Sequence, residues 1–217
     1  VKASKWLRVG TNAMIVFEEV QQAEDGEYAL YSPISASRFM LPYWNPYRED
    51  GTIASEKDGS WKGTGQNPLE WMENNQQFNK KFKTLATLFA EVTPIKDLAI
   101  RTQVGADFTN STAFMQSMPS YAPNNGIGAA GRAAYNTLNL TITNTATYSK
   151  KIDNRHSLNF LLGQEGVDYH YEGFQLITEG QNNDYLNNLS SGSRATIWSD
   201  VTDSYSYLSF FGRAEYS

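Results

Sequence analysis

Leu138-Asn139-Leu140-Thr141-Ile142-Thr143-Asn144-Thr145-Ala146-Thr147-Tyr148 carries apolar or aromatic residues on almost every even position and Asn or Thr on every odd one. A period of two sends Leu138, Leu140, Ile142, Ala146 and Tyr148 to one face of a strand and Asn139, Thr141, Thr143, Thr145 and Thr147 to the other. The polar face holds neutral hydroxyls and amides where a soluble sheet usually carries Lys and Glu, which suits a wet interior. About eleven residues is also the length of a tilted strand that crosses a bilayer.

The same alternation recurs along the chain. A first strand, about Trp6 to Phe17, sets Leu7, Val9, Ala13, Ile15 and Phe17 against Arg8, Asn12 and Glu18. A second, about Phe82 to Thr93, has apolar residues on both parities, so its facing stays open. Thr93-Pro94-Ile95-Lys96-Asp97 is a short turn into a third strand, where Leu98, Ile100, Val104, Ala106 and Phe108 oppose Arg101, Gln103, Asp107 and Thr109. After the Leu138–Tyr148 strand, Lys150-Lys151-Ile152-Asp153-Asn154-Arg155 turns into a fifth, with Leu158, Phe160 and Leu162 opposite Asn159 and Glu165. A sixth, Tyr205 to Ser217, sets Leu208, Phe210, Ala214 and Tyr216 against Ser209, Arg213 and Glu215. Long loops are expected at about Glu19 to Lys80, Asn110 to Asn136 and Tyr169 to Ser204, with Asn67-Pro68-Leu69-Glu70-Trp71-Met72 as a capped helical turn in the first. Long and short connections therefore alternate. That is the pattern of an antiparallel transmembrane β-barrel with short periplasmic turns and long extracellular loops. The alternative is a soluble, secreted β-sandwich that binds glycans.

Composition removes several functions. Eighteen Lys and Arg against 23 Asp and Glu, scattered and with a net charge of -5, exclude a nucleic-acid surface. The absence of cysteine excludes disulfides, Cys-ligated zinc and thiol catalysis. No run approaches the eighteen apolar residues of a membrane-spanning helix, and Val1-Lys2-Ala3-Ser4-Lys5 leads straight into an alternating segment, so no signal peptide is expected.

Five stretches resemble one family in its own order: Ser4-Lys5-Trp6-Leu7-Arg8-Val9-Gly10-Thr11-Asn12, Pro94-Ile95-Lys96-Asp97-Leu98-Ala99-Ile100-Arg101-Thr102, Thr143-Asn144-Thr145-Ala146-Thr147-Tyr148, His156-Ser157-Leu158-Asn159-Phe160-Leu161-Leu162-Gly163-Gln164-Glu165 and Tyr207-Leu208-Ser209-Phe210-Phe211-Gly212-Arg213-Ala214-Glu215-Tyr216. The sequence is similar to SusC/RagA-type TonB-linked outer-membrane transporters. The resemblance implies a barrel of roughly 22 strands with a plug domain. It also implies import of glycan or peptide fragments, a SusD-like surface lipoprotein as partner, the TonB complex as a second partner, and the outer membrane lipids of a Gram-negative, Bacteroidetes-like cell. Residues 1–217 would then be an internal section of one barrel domain, with no plug and about six strands.

Catalytic and metal sites are not expected. Gly126-Ile127-Gly128-Ala129-Ala130-Gly131 fits a dinucleotide-binding pattern, but it follows a Pro-Asn-Asn turn and precedes a period-two segment, so it reads as an extracellular loop. His156 and His170 lack metal-ligand spacing. His156 is expected to end a periplasmic turn, and His170 to sit with Tyr169 and Tyr171 in the outer aromatic girdle. Asp107, Glu165 and Glu215 are expected to pair with Arg101 and Arg213 inside the lumen instead of forming a glycosidase dyad. Of the three N-x-Ser/Thr sites, at Asn110, Asn139 and Asn188, the second falls inside the best strand, so glycosylation is not read from them. No cofactor is implied. The expected binding residues are Tyr43, Trp44, Tyr47, Trp61 and Trp71, clustered in the first long loop, because Tyr and Trp bring large apolar faces with a polar tip to sugars and to partner proteins.

Overall fold

The computed structural model describes residues 4–22, 32–152 and 156–217. It is a single antiparallel sheet whose strands lie side by side in chain order: β1 (Leu7–Gln21), β2 (Asn75–Ile95), β3 (Leu98–Ser117), β4 (Gly128–Ile152), β5 (His156–Gln181) and β6 (Arg194–Tyr216). Two seven-residue helices, α1 (Pro33–Phe39) and α2 (Pro68–Asn74), lie between β1 and β2. No helix among the described residues is long and apolar enough to cross a membrane, which says nothing about strands.

The registers settle which residues share a face. Leu138 stands opposite Phe108, Leu140 opposite Ala106, Ile142 opposite Val104 and Ala146 opposite Ile100 on β3. On β5, Ala146 and Tyr148 meet Leu162 and Phe160. The facing of β2, open from sequence, is fixed by its neighbours. Phe82, Leu88 and Val92 join the apolar face, opposite Phe17, Thr11 and Leu7, while Lys83, Leu85, Phe89 and Glu91 lie on the polar one. A β-sandwich needs a second sheet packed on the apolar face. Here all six strands belong to one sheet, and Leu88, Ile142, Leu162, Leu208 and Phe210 remain exposed, so the sandwich alternative is wrong.

The apolar residues form a belt that does not run straight across the strands. It covers Leu7–Phe17 on β1, Phe82–Val92 on β2, Leu98–Phe108 on β3 and Leu138–Tyr148 on β4. On β6 it covers Leu208–Tyr216. The row that begins with Phe17 and Phe82 continues through Asn110 and Asn136 and ends on Glu172 and Thr202, outside the belt. At the other margin the belt on β5 and β6 reaches Leu158 and Tyr216, a paired row that lies past the start of β1. The belt thus slides by about one residue per strand. With strands about 4.8 Å apart and about 3.3 Å per residue, a level belt with that slide needs strands tilted by about 35°. Barrel strands tilt by this much.

Two loops are corrected. The stretches 110–136 and 169–204 are mostly strand: β3 runs to Ser117, β4 starts at Gly128, β5 runs to Gln181 and β6 starts at Arg194. Strands of 20 to 26 residues extend far past the roughly ten that span a bilayer. Beyond the belt both faces carry polar residues, so the alternation that marks a strand fades. The Gly126–Gly131 motif accordingly spans a turn and the first residues of β4, not a loop. The turn between β2 and β3 is only Lys96 and Asp97, the latter at φ 72°. The turn at 153–155 lies outside the described residues.

The small core sits at the long-connection end. Of the buried apolar residues among those described, Ala36, Ala54, Trp61, Trp71, Tyr121, Ala130 and Ala133 cluster in or beside the connections, and only Val167 lies at mid-strand.

Candidate binding surfaces

The segment between α1 and β2 folds as a compact lobe around Asn67. Its side chain is fully buried and donates from Nδ2 to the carbonyls of Pro46, at 2.8 Å, and Ala54, at 2.7 Å. Its Oδ1 accepts from the Leu69 N–H at 3.1 Å and so caps α2, with Pro68 at the first helical position. One residue thereby ties together three pieces of irregular backbone. Arg48 ties a small hairpin, bridged between Tyr47 and Ile53, to the next turn: its guanidinium pairs with Asp58 and donates to Ser60 Oγ at 3.0 Å. The hydroxyls of Thr52 and Ser60, with Arg48 close by, hold the Asp50 and Asp58 carboxyls below the usual aspartate range. Partial burial, helped by Glu70, pushes the Glu56 carboxyl up.

The five aromatics expected to bind divide into two groups. Trp61 and Trp71 are each only 7% exposed; the Trp61 indole N–H donates to the Gly65 carbonyl at 2.7 Å, and its ring lies over Gly63, where a Cβ would come within 2.2 Å of it. These two order the lobe. Tyr43 and Tyr47 are exposed, at 74% and 47%, and Tyr43 meets the half-buried Trp44 edge-on at 6.1 Å. The lobe touches the β3–β4 connection, where the Tyr121 hydroxyl donates to Gln66 Oε1 at 3.1 Å, and that connection meets the β5–β6 connection through Ser120 N–H to Asp184 at 3.0 Å. All three long connections are therefore knit together above one end of the sheet.

On the polar face, β1–β3 and β4–β6 differ. The first half is charged and internally paired: Arg8–Glu91 at 2.9 Å, Arg101–Glu91 at 3.8 Å, Lys83–Asp107 at 3.5 Å and Lys81–Glu18 at 3.8 Å. Arg101 lies 4.0 Å over the Phe89 ring, which itself covers Gly10. The carboxylate pairings expected from sequence hold only for Glu215, which pairs with Arg213 at 3.4 Å. Asp107 takes Lys83 and Arg101 takes Glu91, because cross-strand register decides which charges meet. Glu165 accepts instead from the Thr143 hydroxyl at 3.0 Å.

The second half carries tyrosines that the sequence reading missed. Tyr135 of β4 stacks on Tyr171 of β5 at 6.0 Å, Tyr169 of β5 on Tyr205 of β6 at 4.7 Å, and Tyr205 lies parallel to Tyr207 at 6.3 Å. Tyr135 lies over Gly173, its cross-strand neighbour, where a Cβ would sit 2.1 Å from the ring. The available signal was the Tyr-x-Tyr spacing at 169/171 and 205/207, which places each pair on one face of a strand. His170 is not among these rings. It points to the opposite face, 3.8 Å from Glu172. His156 Nδ1 and the Tyr216 hydroxyl share a hydrogen bond of 2.6 Å at the short-turn end. Among the described residues no three His, Asp or Glu side chains gather as a metal site would need. Clefts of about 400 and 390 Å³ lie beside Lys96 and Lys150 and beside Asn136 and Glu172, the second reaching Gly173 beneath Tyr135.

No family model and no curated protein matches the chain. Solved structures do. Over 99% of its length the chain is similar to a chain of the RagAB peptide importer, with 28% identity and a TM-score of 0.80 to the "closed-closed" state and 0.81 to the "open-open" state. A further structure of the RagAB peptide transporter matches with the same identity and a TM-score of 0.81. The chain spans about a quarter of the length of those chains, 24% to 25%. It has the fold of one part of those chains.

Proposed function

We propose that this chain is a section of the barrel wall of a TonB-dependent outer-membrane importer that takes up glycan or peptide fragments together with a SusD-like surface lipoprotein. The chain itself has no enzymatic step in this reading. The observation that carries it is the sliding belt: a single sheet keeps large apolar side chains on one face, over a bilayer's thickness, at the slant of a tilted barrel strand. The match to RagAB supports it. That match is about equally good to both named states. On this assignment the apolar face meets lipid, the polar face lines the lumen, and the lobe stands outside the cell. Tyr43, Trp44 and Tyr47 contact substrate or lipoprotein there, and Trp61 and Trp71 hold them in position.

The test is a charge placed on each face of β4 in the intact parent protein. An Arg or Lys on the lipid side of a barrel costs about 2–4 kcal/mol near the midplane and an Asp less, so two Asp are placed together there. Leu140→Asp with Ile142→Asp should remove the protein from the outer membrane, and Thr141→Asp should leave its surface abundance near normal. Equal tolerance of all three changes would reject the membrane-wall reading.

A further inference from the structure

We propose that the tyrosine rows of β4–β6 form a binding track for a neutral oligosaccharide. This rests on the reading of the polar face as a lumen and names the substrate class of that lumen. Three features converge on it. First, Tyr135, Tyr169, Tyr171, Tyr205 and Tyr207 share one face, the β6 pair being 50% and 51% exposed, and none of their hydroxyls has a hydrogen-bond partner among the described residues. Rings 4.7 Å apart and within 16° of parallel are stacked, so their faces are taken up by one another and the phenol edges are what a ligand meets.

Second, the track is sparsely charged: in the rows from Tyr135 to Tyr207 the single charged side chain on this face of β4–β6 is Asp203, opposite Tyr171. Thr137, Thr141, Thr145 and Thr147 continue it down β4, Ser209 lies on β6, and the Glu165 carboxylate is occupied by Thr143. Phenols and threonine hydroxyls both donate and accept, as sugar hydroxyls do. A peptide brings charged termini and side chains, which need counter-charges. The cations of this face on β1–β3 are each engaged by a carboxylate, and Arg213 of β6, toward the short-turn end, pairs with Glu215. Third, Asn139 stands in the same cross-strand row as Tyr169 and Tyr205, and its Oδ1 is enclosed with no donor. An orphaned acceptor among free hydroxyls is a place for a ligand hydroxyl or a water it brings.

The experiment uses the intact importer with its lipoprotein. The probes are neutral hexasaccharides of glucose, mannose, xylose, galactose and fructose, and a mixed pool of six- to ten-residue peptides. Binding is read by calorimetry, and uptake is normalised to surface abundance. At least one hexasaccharide should bind. Tyr169→Phe with Tyr205→Phe, which keeps the stacked rings and removes two hydroxyls, should weaken it severalfold, and Tyr169→Ala with Tyr205→Ala by tenfold or more. Unchanged binding in the Phe variant overturns the track, and so does binding of peptides alone. A fall in abundance confined to the Ala variant points to packing against another part of the parent and leaves the Phe variant to decide. A parent absent from the outer membrane would reject the importer reading itself, a result distinct from normal import that ignores these tyrosines.

Discussion

The belt and the lobe are built for different solvents. In the lobe Trp61, Trp71 and Ala54 are buried and the key polar side chain, Asn67, is fully hydrogen-bonded, as a water-soluble fold requires. In the belt Leu88, Leu162, Leu208 and Phe210 are 60% to 75% exposed. Patches of this kind mark a surface that meets something other than water. Among the described residues the packed core therefore sits at the lobe end, and the regular mid-strand region keeps only Val167 buried. Stability of the strands comes from the ladder and the surrounding medium, whereas the lobe stands on its own packing.

If that division is right, damage to the lobe should stay in the lobe. The largest effect is expected from Trp61→Ala, since emptying a buried Trp site costs about 3–5 kcal/mol. Limited proteolysis of the intact protein should open residues 40–66 while membrane insertion is kept; loss of insertion would mean that the two regions fold as one. Asn67→Ala comes next. It removes the α2 cap and strands the Pro46 and Ala54 carbonyls, at about 1–3 kcal/mol, and should sensitise the same segment to a smaller degree. Trp44→Ala touches the surface only. An aromatic contact is worth about 0.5–1.5 kcal/mol beyond its area, so capture of substrate or lipoprotein should weaken severalfold with protease resistance unchanged. A normal uptake rate in that variant would leave the lobe without a binding role.

The smallest effect is acid. Asp50 and Asp58 are held below their unfolded pKa, so the stability they lend is present above about pH 4 and is lost as pH falls through the ordinary aspartate range into their lowered one. Glu56 works the other way: its raised pKa favours the protonated lobe, and that contribution fades as pH rises through its titration. Protease protection of the lobe should drop below about pH 4, and Asp50→Asn with Asp58→Asn should flatten the drop. Protection that is insensitive to both would remove these carboxylates from the account.

The same division explains what could be read from sequence. Alternation in β1, β3, β4, β5 and β6 was legible where one face meets an apolar medium, from Leu7 to Phe17 or Leu138 to Tyr148. Above the belt, runs such as Asn110-Ser111-Thr112 and Thr202-Asp203-Ser204 are polar on both faces, and strands there looked like loops. The facing of β2 was hidden because Phe89 occupies the polar face, lying over Gly10 of the next strand, a contact that needs the register to be seen. The cap of α2 was legible from Asn67-Pro68; Ser32-Pro33 offers α1 the same sequence signal, although Ser32 makes no side-chain capping bond. The aromatic cluster in the first connection was also legible, but its split into packing and surface rings was not, because burial depends on which backbone folds over each ring. The tyrosine rows were visible as spacing: Tyr135, Tyr169 and Tyr171 fell in stretches whose polarity on both faces reads as loop, whereas Tyr205 and Tyr207 open the sixth strand and needed the register to show their partners.

The central claim, that the two parities of β4 meet different media, is open to one direct measurement. The chain has no cysteine, so Leu140→Cys, Thr141→Cys, Ile142→Cys and Thr143→Cys can each be introduced singly into a parent made free of other thiols. Each is then labelled in native outer membranes with a water-soluble and a lipid-soluble maleimide. Positions 141 and 143 should take the water-soluble reagent and 140 and 142 only the lipid-soluble one. If 140 and 142 react with the water-soluble reagent as fast as 141 and 143, the belt faces water and the account is wrong.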